Sequence, residues 1–479
     1  MCGLLGIIGK EPVIEDIYQG LIHLQHRGQD AAGIFSFDPI TGMQLLHKNR
    51  GLVSQVFNAE TLPLREASWG IGHVRYSTIG TGRVEDTHPL CIQRKHTISL
   101  AHNGNIVNYL PLKQQLEDRK VVFETTCDAE TILNLFSQYL PDEAITFDHI
   151  CNAANEVFKN TSGAYSCIGI ITDIGMFAFR DPWGFRPLLL GSSKSDSSHA
   201  FSSETGPLHF LGFENIQDIE PGEVVFIDAN HNVHRRILTN LPHTHCSFEF
   251  NYFAKPNAIM EQKEVYRIRS RLGMALADKC QEQNIQADVV VPIPDSARPS
   301  AISLAYKLKI PLEEGFVKQN HVGRTFIMPT QYARKKALSQ KLITVKSVFE
   351  DRTVILVDDS IVRGTVSRRV IELAKRAGAK KIYFASTYPP IKHPCLYGID
   401  FPREEQLVAY DKTIPEIAED IGADGLIYND EIGLKESIGI KDLCVACLTG
   451  IYPTSMSGQE ELQTLRLNAI NEMELTCTH

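Results

Sequence analysis

The 479-residue chain has no basic surplus: 48 Lys and Arg stand against 57 Asp and Glu, a formal net charge of −9. Neutralising a phosphate backbone needs the opposite balance, so a nucleic-acid binder is disfavoured. Long apolar runs are missing as well. The stretch within MCGLLGIIGK has no Lys or Arg before it and stops at Lys10, too short for a signal peptide or a membrane span. Residue 2 is Cys rather than Gly, which removes the myristoylation pattern, and no hydrophobic leader precedes it as a lipoprotein cysteine requires. These absences imply a soluble, cytoplasmic chain with no membrane partner. There is no internal repeat, low-complexity tract or charge run, and the ATP-type phosphate loop G-x-x-x-x-G-K-[ST] is absent. Eleven cysteines are spread out without the density of a small secreted disulfide fold, which leaves reduced thiols, a metal site or catalysis.

What is present is ordinary globular composition, 43% hydrophobic and 22% charged, with length for about two to four domains. The first 240 or so residues alternate β-rich runs (LLGII, WGIGHVRY, HTISLAH, YSCIGIIT, EVVFI) with helical stretches such as VIEDIYQGLIHL and AETILNLFSQYL, an α+β pattern. Beyond LPHTHC at 241–246 the pattern changes. DVVVPIP, an amphipathic stretch at 298–308, TVILVDD, a helical stretch near 367–378 and KIYFAST follow one another as βαβ units, which predicts a parallel sheet. The expected domains are 2–240 and 241–479, the second with a polar, weakly helical tail after Pro453.

Removal of Met1, expected because residue 2 is small, would leave Cys2 with a thiol and an α-amine on one residue. The amine, with a pKa near ~7.7–8.0, can then act as base for the nucleophile, directly or through water. A buried first-strand cysteine is the plain alternative. Three segments bear on the choice: LQHRGQDAAG at 24–33, GIGHVRYST at 70–78 and LAHNGNI at 100–106. Glutamine hydrolysis needs a cation for the α-carboxylate, an acid for the α-ammonium and donors for the tetrahedral oxyanion. Arg75, Asp128 and the pair Asn103 and Gly104 have those chemistries, although singly Asn103-Gly104 reads as a hairpin turn and Arg75 as a surface residue.

Together these segments, over residues 2–235, resemble class II glutamine amidotransferase domains of the N-terminal-nucleophile hydrolase type. The resemblance implies an αββα sandwich with Cys2 as nucleophile, Asn103 and Gly104 as oxyanion hole, and Arg75 and Asp128 holding glutamine. Arg27 and Gly28 would shape the same pocket. Cys127 replaces the small residue usual before the aspartate.

VILVDDSIVRGTV, residues 354–366, is a hydrophobic strand ending in two carboxylates, then a Gly-containing turn into a helix. Gly364, Thr365 and Ser367 at a helix start suit a phosphate, while Asp358 and Asp359 can accept from ribose hydroxyls and help hold hydrated Mg2+. A solvated strand end is the alternative. The segment resembles the diphosphoribosyl-binding motif of type I phosphoribosyltransferases, and its place behind the amidotransferase segments resembles the amidophosphoribosyltransferase family. That resemblance implies that Ser360 and Arg363 join the substrate turn, that Ser296 in PIPDSA is a metal-side ligand, and that Lys318 and Arg324 face pyrophosphate. It further implies synthesis of 5-phosphoribosylamine from phosphoribosyl pyrophosphate and glutamine, the entry to purine synthesis, in a dimer or tetramer inhibited by purine nucleotides. Departures gather here: Gln319, Asn320 and His321 in KQNHVGR, Ala297 in PDSA, Ser339, and Val366 where a second Thr is usual.

Cys246, Cys395, Cys444 and Cys447, the last two in C-x-x-C, could bind zinc or an iron–sulfur cluster, form a redox pair, or be plain thiols. Their segments resemble the iron–sulfur branch of the same family, which implies a structural, oxygen-labile [4Fe-4S] cluster, with zinc the lesser occupant. The rival reading of the whole chain is a phosphoribosyl-pyrophosphate-sensing regulator with a degenerate transferase site.

Overall fold

The structure is a computed structural model that describes residues 2–77, 82–195, 197–318, 342–401 and 403–465. Its first strand, Gly3–Ile8, is buried along its whole length and lies inside a seven-stranded sheet. The order there is Glu214–Asp218, Leu189–Ser192, His199–Ser202, Gly3–Ile8, Trp69–Arg75, Ala31–Phe37, Gln44–Arg50. A six-stranded sheet lies against it, in the order Val233–Ile237, Glu223–Asp228, Gly175–Arg180, Gly163–Ile171, Thr97–Ile106, Leu90–Gln93. Leu4, Ile8 and Ile71 from the first sheet meet Ala101, Ile168 and Met176 from the second in one buried cluster. With helices on the outer faces as well, these strands are covered on both sides, which explains why they read as apolar runs rather than as alternation.

The helix Ile14–Leu24 buries residues 14, 17, 21 and 24, the spacing of one helical face, and packs it on the outer side of the first sheet against Leu5, Ile34 and Val74. On the other side, Ala129–Gln138 and Phe147–Asn160 set Phe136 and Ile150 against Phe177 and Phe179. The layers are helix, sheet, sheet, helix, as the resemblance implies.

The second half builds a parallel sheet in the order Val289–Pro292, Thr353–Asp358, Lys381–Ser386, Gly425–Tyr428. Val265–Glu282 and Arg298–Leu308 cover one face, where Leu276 and Leu304 meet Ile355 and Val357. Thr365–Arg376 and Ile414–Ile421 cover the other, where Val370 and Ile417 meet Leu356 and Phe384. Ligands of such open α/β sheets bind beyond the carboxyl ends of the strands, where TVILVDD places its acid pair. The helix expected near 367–378 starts earlier, at Thr365, because Gly364 occupies its N-cap, and it ends at Arg376. His245–Cys246 pairs in parallel with Leu443–Cys444 and so joins distant segments of the chain. Residues 459–465 in the tail are helical. Among the described residues, no helix is long and apolar enough to cross a membrane.

Candidate functional site

Cys2 stands at the mouth of the first strand, and the pairing of Gly3 with Val74 sets it beside Arg75. Its thiol points at the carbonyl of Tyr76, 3.8 Å away, and its backbone N–H donates to Asn103 Oδ1 at 3.0 Å. Asn103 is fully buried, and its Nδ2 has no hydrogen-bond partner among the described residues. An unmet buried donor costs about 1–3 kcal/mol, so one kept beside a thiol is a place prepared for a developing negative charge. Next to it Gly104 has φ +150° and is paired with Tyr165 inside the strand Thr97–Ile106, not in the hairpin turn its sequence suggests; a Cβ there would lie 1.8 Å from the carbonyl oxygen of Ala164, so only glycine fits.

Asp128 sits at the start of the helix Ala129–Gln138, and its Oδ2 accepts the Ile106 N–H at 2.9 Å from the strand that carries Asn103. Arg75 is 4% exposed and donates to the carbonyl of Asp86. Behind them lie His73, His88 and His102, whose pKa values burial lowers, so they are neutral. Cys2, Asn103, Gly104, Arg75 and Asp128 are thus brought to one end of the paired sheets.

Arg27 is placed beneath this group. It is fully buried and donates to the Cys2 carbonyl at 3.0 Å, to Glu204 at 2.7 Å and to Glu249 at 2.8 Å. Gly28 passes so close to the neighbouring strand that a Cβ would lie 2.5 Å from the Val74 carbonyl oxygen. Arg27 holds backbone, and Gly28 permits the close approach to the strand Trp69–Arg75. Sequence reasoning missed Glu204 and Glu249, whose partners lie 177 and 222 residues away with no local pattern to mark them.

At the second site Asp358 ends its strand and Asp359 follows it, each 7% exposed. Burial raises both carboxyls above the usual range, and the charge of Asp359 raises Asp358 further, while Ser296 and Ser360 draw Asp359 back down. Among the described residues neither has a salt-bridge partner. Arg269, occupied by the carbonyls of Phe250, Tyr252 and Ala254, offsets only part of the Asp359 charge. Ser296 donates to Asp359 Oδ2 and Ser360 to Oδ1, the latter at 2.7 Å, so PIPDSA does reach the acid pair. The arrangement fits a divalent cation: two adjacent carboxylates need positive charge that the described chain does not supply.

Gly364 caps the helix that begins with Thr365; Thr365 and Val366 are exposed there and Ser367 is buried. Lys318 pairs with Asp295 at 2.7 Å, and Arg363 pairs with Asp400 at 3.4 Å. Arg324, Gln319, Asn320, His321 and Ser339 lie outside the described residues.

Cys246, Cys395, Cys444 and Cys447 open onto a single apolar cavity walled by Phe185, Phe248, Tyr397 and Phe401. Burial pushes the Cys246 thiol up to about 11, and those of Cys444 and Cys447 up as well. Four thiols gathered round one apolar cavity suit a bound metal group, which takes them as thiolates. Among the described residues the one cluster whose ligand atoms all lie within 4.8 Å of one another is His243, His245 and Glu261, so no three of the four thiols are that close. This group of two histidines and a glutamate already has its cation: an Arg180 nitrogen lies 2.7 Å from Glu261 and 3.1 Å from His245 Nδ1.

Residues 73–209 match the glutamine amidotransferase domain family and residues 261–399 the phosphoribosyl transferase domain family. Curated amidophosphoribosyltransferases from Haemophilus influenzae and Methanocaldococcus jannaschii are 39% and 40% identical, over 97% and 96% of this chain and 95% and 99% of theirs. The solved glutamine phosphoribosylpyrophosphate amidotransferase of B. subtilis, complexed with ADP and GMP, is 37% identical. It superposes with a TM-score of 0.85 over 95% of this chain and 98% of that one.

Proposed function

The chain belongs to the amidophosphoribosyltransferase family, and from that premise we propose how its residues divide the reaction between two sites. Phosphoribosyl pyrophosphate, glutamine and water become 5-phosphoribosylamine, glutamate and pyrophosphate, which is the family's activity in purine biosynthesis.

Cys2, freed of Met1, gives its thiol proton to the α-amine and attacks the glutamine carboxamide carbon. Asn103 Nδ2 and the Gly104 N–H receive the oxyanion, while Arg75 and Asp128 hold the α-carboxylate and α-ammonium. The C–N bond breaks, ammonia leaves with a proton from the amine, and water cleaves the thioester to glutamate. The unmet donor of Asn103 beside Cys2 carries this reading. A sensing role alone would leave that donor, and its cost, without a use.

At the second site ammonia attacks the anomeric carbon and pyrophosphate departs. Asp358 and Asp359 hold the ribose hydroxyls; Ser360, Arg363, Gly364, Thr365 and Ser367 receive the 5-phosphate; Lys318 and Arg324 face the leaving group. Mg2+ would be held by Asp358, Asp359 and Ser296, where it supplies charge for the pyrophosphate. Purine nucleotides, like the ADP and GMP bound by the B. subtilis relative, share the phosphate and ribose of the substrate and are expected to inhibit. A dimer or tetramer and a cytoplasmic location belong to the same reading.

Cys246, Cys395, Cys444 and Cys447 would hold a [4Fe-4S] cluster as a structural cross-link. Tetrahedral zinc with bonds of ~2.3 Å needs all four sulfurs about 3.8 Å apart. The wider spread of these thiols favours a larger group. The test of the whole reading is product balance: purified protein with Mg2+, phosphoribosyl pyrophosphate and glutamine should release glutamate and pyrophosphate in equal amounts. Glutamate without pyrophosphate would overturn it.

A further inference from the structure

The glutamine site reaches outside its own sheets at two points, both in the second half of the chain. The first lies under the nucleophile. Arg27 holds the Cys2 carbonyl, and its guanidinium is shared between Glu204, in the same half, and Glu249, which follows the 241–246 segment. Glu249 is fully buried and also faces Arg186 at 3.5 Å. Arg186 in turn donates to the carbonyl of Tyr397.

The second point lies behind the oxyanion glycine. Gly398 is buried, has φ +99°, and packs so tightly that a Cβ on it would lie 3.2 Å from both the carbonyl carbon and the oxygen of Gly104. Its loop is fastened to the same place: the Asn105 side chain donates to the Leu396 carbonyl at 3.5 Å, beside the Arg186 bond to Tyr397. Gly104 is paired with Tyr165 in the strand ladder and carries no side chain, so the Gly398 backbone packs directly against its carbonyl.

We infer that Glu249 and Gly398 are positioning residues for glutamine hydrolysis: Glu249 fixes Cys2 through Arg27, and Gly398 fixes the Gly104 oxyanion donor. Resting on the two-site reading above, the inference adds that the first site is completed by the second half of the chain. Neither residue reaches substrate, so each should act on the transition state more than on glutamine affinity, which Arg75 and Asp128 set.

The experiment compares wild type, Glu249→Gln and Gly398→Ala in the full-length enzyme. Three quantities are read on each preparation: kcat and KM for glutamine hydrolysis, and phosphoribosylamine synthesis from high ammonium. The expected result is a fall in glutamine kcat of tenfold or more, with KM within about threefold and ammonium-dependent synthesis within about twofold. If one variant also loses ammonium-dependent synthesis, the other decides. Wild-type constants in both variants, a rise in KM alone, or loss of both activities in both variants would overturn the inference. A wild-type enzyme that hydrolyses no glutamine would instead overturn the reading it rests on.

Discussion

Asn103 meets Cys2 with one end of its amide and keeps the other end open: Oδ1 accepts the Cys2 N–H at 3.0 Å, and Nδ2, buried, has no partner among the described residues. Because Oδ1 is occupied, the amide is oriented with Nδ2 as the donor left over, the arrangement an oxyanion needs before the reaction starts. Asn103→Ala should therefore lower glutamine kcat by about 10²–10³. Steady-state glutamate release checks this, with ammonium-dependent synthesis as the control that should stay near wild type. An unchanged kcat would remove Asn103 from the oxyanion hole.

Glu204 links stability to pH. Burial alone pushes its carboxyl up, but His26 and the Arg27 guanidinium outweigh that and hold it at about 2, against 4.5 for a free Glu. A depressed carboxyl adds stability above its unfolded pKa and loses it as pH falls from about 4.5 toward 2. The shift corresponds to about 3 kcal/mol. Glu204→Gln should cost about 3–5 kcal/mol at pH 7, since Arg27 is fully buried, and should flatten the stability loss below pH 4.5. Denaturant melts at pH 7 and pH 3.5 measure both effects; parallel curves for the two proteins would contradict the assignment.

The cysteine cavity makes a compositional prediction. Anaerobically purified protein should contain four irons and four sulfides per chain, the make-up of one [4Fe-4S] cluster, with a broad visible absorption band. Cys444→Ser should lose both and be poorly soluble, because metal binding and folding are coupled. Stoichiometric zinc without iron would select the smaller occupant.

Val366, 48% exposed at the second position of the helix Thr365–Arg376, puts a hydrocarbon where a hydroxyl could meet phosphate. One hydrogen bond to a charged group is worth roughly 1.5–3 kcal/mol, so Val366→Thr should tighten phosphoribosyl pyrophosphate binding about tenfold or more. Calorimetry with Mg2+ reads this directly. Unchanged binding would assign phosphate recognition to the backbone amides of the turn.

Legibility followed the range of the interaction. Cys2, the Asn103-Gly104 pair and the Asp358-Asp359 pair could be found because each lies at or near the end of a strand whose hydrophobic run is itself visible. The helix after the acid pair was misplaced by two residues because Gly364 reads as part of the loop, whereas it caps the helix. Glu204, Glu249 and Gly398 left no signal. A buried glutamate in SSET or CSFEF has no partner within reach of any local pattern, and the glycine in CLYGID becomes special only when a strand almost 300 residues earlier packs against it.

The division of labour between the two sites is tested most directly by Cys2→Ala assayed with each nitrogen source. Phosphoribosylamine synthesis from glutamine should vanish while synthesis from high ammonium persists near the wild-type rate, because only the first step uses the thiol. Loss of both activities in a folded protein, or retention of glutamine-dependent synthesis, would contradict it.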